Sequence, residues 1–104
     1  MKAEKPLIIA HRGASAEAPE NCLAAFMLGV KQQCDMIELD VHITKDKQVV
    51  VIHDHTLDRT TNGIGEIANL NYVDIKGYDC GKWFNDQYAG EYVPLLDEVK
   101  KTIA

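Results

Sequence analysis

The sequence predicts an α/β chain, on three observations: an apolar run that opens through a polar loop into a helix, two β-rich segments too close together for anything but a hairpin, and a closing stretch of helical periodicity. Leu7-Ile8-Ile9-Ala10 ends at His11-Arg12-Gly13, the pattern of a buried parallel strand whose end meets a loop. From Pro19 to about Gln33 the apolar residues Cys22, Leu23, Phe26, Met27 and Val30 recur at helical spacing after an acidic start at Glu20. Met36 to Thr44 alternates apolar and polar residues at period two, and Gln48 to Ile52 is a β-branched run.

Between those two strands lies only Lys45-Asp46-Lys47-Gln48, too short for a parallel crossover, so the pair is expected to be antiparallel. A two-residue or a four-residue loop places Asp40 opposite His53, and Glu38, two residues away, on the same face. Residues from about 55 to 92 are rich in Gly, Asn and Asp and read as an insertion-like excursion. Tyr72, Tyr78, Trp83, Phe84 and Tyr88 provide for a small satellite cluster within it. After Pro94, Leu95 to Ile103 has helical spacing.

Composition narrows the functions. Apolar residues make up 46% and charged residues 26%, as in a globular protein. Sixteen acidic against eleven basic side chains give a charge of −5, which argues against a nucleic-acid partner held by phosphate neutralisation. The apolar run from Pro6 to Ala10 is too short to span a bilayer, and no signal-peptide pattern precedes it. As written, the chain is expected in the cytoplasm, or in the periplasm or outside the cell if a leader has been removed. Cys22, Cys34 and Cys80 are odd in number, widely spaced and read as free thiols.

Three polar motifs carry chemistry. Glu38-x-Asp40 offers two hard oxygen donors of the kind Ca²⁺ or Mg²⁺ takes. His11-Arg12 joins a proton-transferring imidazole to a guanidinium that can fork onto phosphate oxygens, and His53-Asp54 supplies a second imidazole. Each is weak alone. Together they match the general acid, general base, phosphate clamp and metal site of metal-assisted phosphodiester cleavage.

In this arrangement the chain resembles the glycerophosphodiester phosphodiesterases. The resemblance is carried by Ala10-His11-Arg12-Gly13, by Pro19-Glu20-Asn21 leading into Leu23-Ala24-Ala25-Phe26, by Glu38-Leu39-Asp40-Val41 with Thr44-Lys45-Asp46, by Val51-Ile52-His53-Asp54 and by Leu57-Asp58-Arg59-Thr60-Thr61. It continues through Asp79-x-Gly81-x-Trp83-Phe84 and Val93-Pro94-Leu95-Leu96-Asp97-Glu98-Val99. It implies the N-terminal part of a TIM-barrel domain, with the site at the carboxyl ends of the strands. His11 and His53 would be the acid/base pair, Arg12 the phosphate holder, Glu38 and Asp40 ligands of Ca²⁺ or Mg²⁺, and Glu20 a supporting residue in the same loop region. The implied reaction is metal-dependent hydrolysis of a small glycerophosphodiester to glycerol 3-phosphate and an alcohol. It would proceed by attack of the neighbouring glycerol hydroxyl and hydrolysis of a cyclic phosphate.

Two departures accompany the resemblance. Cys22 stands where the family commonly has Thr, and the family's later Glu-x-Lys segment, a further metal ligand and a lysine near the phosphate, does not occur within the 104 residues. The alternatives are a non-catalytic phosphate- or metal-binding module and an inactive truncated fragment. The 104 residues alone are expected to self-associate or fold poorly. His42 and His55 have no assigned role, and the Trp83, Phe84 and Tyr88 group reads as packing on itself rather than covering a substrate.

Overall fold

The computed structural model describes residues 6–104. In chain order it contains β1 (Ile9–His11), α1 (Leu23–Lys31), β2 (Met36–Glu38), β3 (Val41–Ile43), β4 (Val49–Val51), α2 (Tyr72–Lys76) and α3 (Leu96–Ile103), with short 3-10 turns at Ile67–Asn69 and Asp86–Tyr88. β1 pairs in parallel with β2, and β3 pairs antiparallel with β4. No helix among the described residues is long and apolar enough to cross a membrane.

The first βαβ unit follows the expected plan, with shifted boundaries. Helix α1 begins at Leu23 rather than Pro19, because Asn21 takes a left-handed backbone (φ 57°) that no helix continues through. Its buried face is Cys22, Ala25, Phe26 and Gly29, an i, i+3, i+4, i+7 stripe, while Met27 and Val30, expected inside, are exposed. The smallest residues set that face: a Cβ on Gly29 would lie 3.2 Å from Ala10 Cβ, so the helix lies close on β1. The helix ends in a Schellman motif, in which Cys34 N–H reaches Gly29 O, Gln33 N–H reaches Val30 O and Gln33 turns left-handed (φ 61°). β1 is less buried than its composition suggests. Of its residues only Ala10 is inside, and Leu7, Ile8 and Ile9 are exposed, since the strand pairs on one side alone among the described residues.

The hairpin corrects the expected register. Val41 faces Val51, His42 faces Val50 and Ile43 faces Val49, so Asp40 is level with Ile52, whose N–H donates to Asp40 O, and not with His53. The reason is a three-residue loop. Lys47 N–H closes a turn onto Thr44 O, Lys47 then takes φ 63°, and Thr44 N–H meets Gln48 O, moving every pair by one residue from either loop length expected. The strand expected over Met36 to Thr44 is also interrupted at Leu39-Asp40, where the chain leaves β1 and joins β4.

β4 divides two apolar clusters. Val50 and Ile52 pack with Cys22, Leu57, Ile67, Ile75, Cys80 and Val93, while Val51, on the opposite side, packs with Phe26 of α1 and Val99 of α3. Burying a side chain of this size contributes about 1.5–3 kcal/mol, so both helices and the 55–92 segment are anchored through one short strand. The centre of that segment is aliphatic and continuous with β4, and Tyr72 and Tyr78 pack on it rather than in a separate satellite. Trp83, Phe84 and Tyr88 pack on one another as expected, with Trp83 and Phe84 rings 5.8 Å apart and Phe84 and Tyr88 rings 6.0 Å apart. In α3 the Glu98 carboxylate accepts the Leu95 N–H at the first turn, and Lys100 and Lys101 complement the last.

Gly13 is the tightest backbone constraint near the site. It has φ 77°, and an added Cβ would lie 2.7 Å from the Ala25 carbonyl carbon, whereas Gly90, at φ 98°, has nothing within 4 Å of the same atom. Gly90→Ala is expected to cost about 1 kcal/mol from backbone strain alone. Gly13→Ala should cost at least ~1 kcal/mol more through the clash. Urea midpoints of the two variants check this, and equal losses would show that α1 does not press on the loop after β1.

Candidate active site

The loop after β1 sets the site. His11 closes the strand, and the next residue, Arg12, adopts a left-handed backbone (φ 56°), an uncommon and costly conformation for a residue with a side chain. Three hydrogen bonds hold it. Arg12 N–H donates to Glu38 O at 2.8 Å and to Glu38 Oε2 at 3.2 Å, and Arg12 O accepts from Asn21 N–H at 2.9 Å. The turn aims the Arg12 side chain between two acids: Nη1 donates to Glu20 Oε2 at 3.2 Å, and Nε lies 3.6 Å from Asp40 Oδ2. That second distance is an ion pair without a hydrogen bond, so Arg12 Nε is buried with no acceptor.

Glu38 ends β2 beside β1, and its Oε2 also stands 3.2 Å from His11 Nε2. Asp40 follows in the interruption between β2 and β3 and accepts Asn21 Nδ2 at 3.1 Å. The other side-chain atom of Asn21, Oδ1, is buried and has no donor. Across the rim, His53 Nδ1 is 2.8 Å from Asp54 Oδ1. Arg59 joins the halves. It donates Nε and Nη2 to Asp54 at 2.9 and 3.0 Å, and Nη1 and Nη2 to Glu20 at 2.8 and 2.9 Å. The polar groups thus run in one chain of contacts, His11 to Glu38 to Arg12 to Glu20 to Arg59 to Asp54 to His53.

Titration follows this connectivity. Hydrogen bonds from Arg59, then from His53, hold the Asp54 carboxyl well below the usual carboxylate range. At Glu20 burial pushes the pKa up, but the hydrogen bonds and charge of Arg59, with the charges of Arg12 and His53, outweigh it and the net shift is down. Arg59 is raised by its hydrogen bonds to Glu20 and Asp54.

The structure therefore gathers His11, Arg12, Glu20, Glu38, Asp40 and His53 on one rim, although His53 arrives through Asp54 and Arg59 rather than across the hairpin from Asp40. Glu20 is more than supporting, since it bridges both arginines. Arg59 does more than hold the local loop after His53. Its reach to Glu20 spans 39 residues, and only the placement of an arginine five residues beyond Asp54 hinted at the local half of it. His42 is half-buried, with Nε2 2.8 Å from His53 O. Thr61 fixes the local turn, donating Oγ1–H to Leu57 O and accepting Gly63 N–H.

No group of three or more His, Cys, Asp or Glu among the described residues converges as a metal site. Glu38 and Asp40 nevertheless suit two positions of a hard cation's oxygen shell, of which waters and substrate oxygens commonly supply the rest. The unpartnered Asn21 Oδ1 adds an oxygen beside Asp40.

Residues 11–103 match the model of the glycerophosphoryl diester phosphodiesterase family. The chain is similar to the glycerophosphodiester phosphodiesterase of Caldanaerobacter subterraneus subsp. tengcongensis (50% identity, covering 95% of this chain and 41% of that protein) and to one from Bacillus subtilis strain 168 (43%, covering 92% and 36%). Among solved structures, it superposes on a glycerophosphodiester phosphodiesterase from Agrobacterium tumefaciens with TM-score 0.87 (47% identity, 90% of this chain and 41% of that one). It superposes with TM-score 0.92 on an Oleispira antarctica phosphodiesterase in complex with the product sn-glycerol-3-phosphate (40%, 94% and 40%). The fold is the matching part of these α/β-barrel enzymes, and the chain spans about two fifths of the length of these relatives.

The Asp54 shift makes a prediction. Its folded pKa lies below the unfolded value of about 3.9. Its contribution to stability is therefore present above that pH and is lost as pH falls through the folded pKa. Asp54→Asn should lose about 1 kcal/mol at neutral pH, at the low end because Arg59 is partly exposed. The difference from wild type should shrink in acid below about pH 4. Urea unfolding at a series of pH values measures it, and a difference independent of pH would contradict the assigned ion pair.

Proposed function

Because the chain belongs to the glycerophosphoryl diester phosphodiesterase family, we propose that the rim described above is the first part of an active site that hydrolyses a small glycerophosphodiester to glycerol 3-phosphate and an alcohol. The observation that carries this reading is Arg12. Its guanidinium lies between the Glu20 and Asp40 carboxylates, yet its Nε is a buried donor without a hydrogen-bond acceptor, which a phosphate oxygen would satisfy. The product named in the Oleispira antarctica complex has the phosphate and glycerol such a site would hold.

The contacts support the following roles in this reading. Asp54 accepts from His53 Nδ1, which fixes the ring and leaves Nε2 to exchange a proton with substrate. His11 stands at the other end of the chain of contacts. One imidazole takes the proton from the glycerol hydroxyl that attacks phosphorus, and the other gives one to the departing alcohol; the same pair then serves hydrolysis of the cyclic phosphate. Arg12 holds the phosphate oxygens. Glu20 and Arg59 keep the two loops in register as positioning residues. Glu38 and Asp40 would hold Ca²⁺ or Mg²⁺, with Asn21 Oδ1 beside them. Such an ion supplies charge to offset that developing on the phosphoryl oxygens.

In the complete enzyme, hydrolysis of glycerophosphocholine should fall at least ~100-fold in His11→Ala and in His53→Ala. It should also be suppressed by chelator and restored by added Ca²⁺ or Mg²⁺. Undiminished turnover in His11→Ala would overturn its role, and turnover untouched by chelator would overturn the metal. The 104 residues on their own expose Ile9, Met36, Val41 and Ile43 along strands that each have a single partner among the described residues, and we expect them to self-associate. Sedimentation equilibrium checks this, and a monomer across the measured concentrations would refute it.

A further inference from the structure

Two thiols that the proposed chemistry leaves unused meet in the core. Cys22 precedes α1, directly after Asn21 of the site, and Cys80 lies 58 positions later in the 55–92 segment, yet their Sγ atoms are 2.9 Å apart. Both are buried, in one cluster with Val50, Ile52 and Val93, and the Cys22 thiol also reaches the Cys80 carbonyl oxygen at 3.4 Å. Cys34 has no part in this. It is partly exposed, just past the end of α1. We propose that Cys22 and Cys80 are a built-in redox pair that closes into an intramolecular disulfide when the protein meets a small disulfide oxidant, stapling the start of α1 to the 55–92 segment.

The fold, and not the chain, selects this pair. Cys22 and Cys34 are only twelve positions apart, so loop-closure entropy in an unfolded chain favours joining them over joining Cys22 to Cys80. Folding reverses that preference by bringing the distant sulfurs into contact, and moving from 2.9 Å to a bond of about 2.05 Å takes less than ~1 Å. The pair is also protected. Its mutual hydrogen bond, then burial, hold the Cys22 thiol protonated far above its ordinary pKa, and the thiolate is the reactive form. Oxidation therefore waits on an opening of the segment that Cys80 N–H to Glu91 O and Trp83 Nε1–H to Cys80 O hold shut. In the open state one thiolate attacks a sulfur of glutathione disulfide, forming a mixed disulfide and releasing one glutathione thiolate. The second cysteine thiolate then attacks the protein-side sulfur and releases the other. The two cysteines lose two electrons and two protons, and one glutathione disulfide becomes two glutathiones.

The full chain is incubated with glutathione disulfide in native buffer and, separately, in denaturing urea. It is then alkylated without reduction, digested and analysed by mass spectrometry. In native buffer free thiols should fall from three to one, with the Cys22 and Cys80 peptides leaving as one cross-linked species and Cys34 alkylated. Cys34→Ser should form the same bond, Cys22→Ser none within the chain to Cys80, and dithiothreitol should restore the free thiols. In urea the Cys22–Cys34 product should dominate. Three free thiols after prolonged native oxidation, disulfide-linked dimers alone, or the same pairing in native buffer as in urea would each overturn the proposal. None of these readouts depends on phosphodiesterase activity.

Discussion

The rest of the structure depends on how four carboxylates are held together on one rim. Glu20, Glu38, Asp40 and Asp54 come from three separate stretches of the chain and would repel one another if left alone. Two guanidiniums offset three of them, Arg12 standing between Glu20 and Asp40 and Arg59 forking onto Glu20 and Asp54, while Glu38 is met by the Arg12 N–H and by His11 Nε2. Glu20, touched by both, is the joint. The left-handed turns at Arg12 and Asn21 make sense in this setting, because the hydrogen bonds they form to Glu38 and to each other bring the acids and the arginine into register. Local strain of this kind persists only where its surroundings over-determine it, and here seven polar groups do.

The apolar architecture serves the same end from below. β4 is three residues long, but its side chains point alternately into two clusters, so α1, α3 and the 55–92 segment all refer their positions to it. His53 and Asp54 leave the end of that strand. Their placement is therefore only as good as the packing of Val50, Val51 and Ile52, all buried, and the imidazole inherits its rigidity from valines that never touch it. On the other side, Gly29 and Gly13 let α1 lie against β1 and its loop, which brings Glu20 and Asn21 up to Arg12.

Much of this was legible in the residues. The strand before His11, a helix behind it, the hairpin and the closing helix follow from periodicity, and every residue proposed for the site lies on the rim. The failures have physical causes. Hairpin register turned on one left-handed lysine, Lys47, a conformation that composition does not announce. The break at Leu39-Asp40 was hidden because alternation continues through it while the pairing partner changes. The helix face slid because close packing chose Ala25 and Gly29, the small residues, over Met27 and Val30. Arg59 on Glu20 and Cys22 on Cys80 are contacts between distant segments, which no local pattern encodes.

The central claim is that the arginine-bridged acids hold His53 in one tautomer, with Nδ1–H on Asp54 and Nε2 unprotonated. Nitrogen NMR of the labelled imidazoles at a pH where they are neutral tests it most directly. The account predicts that His53 shows the signature of a single Nδ1–H tautomer, and that Arg59→Ala, by releasing Asp54, returns it toward the mixture of a free histidine. A His53 ring already averaged between tautomers in the wild type, and unchanged by Arg59→Ala, would contradict it.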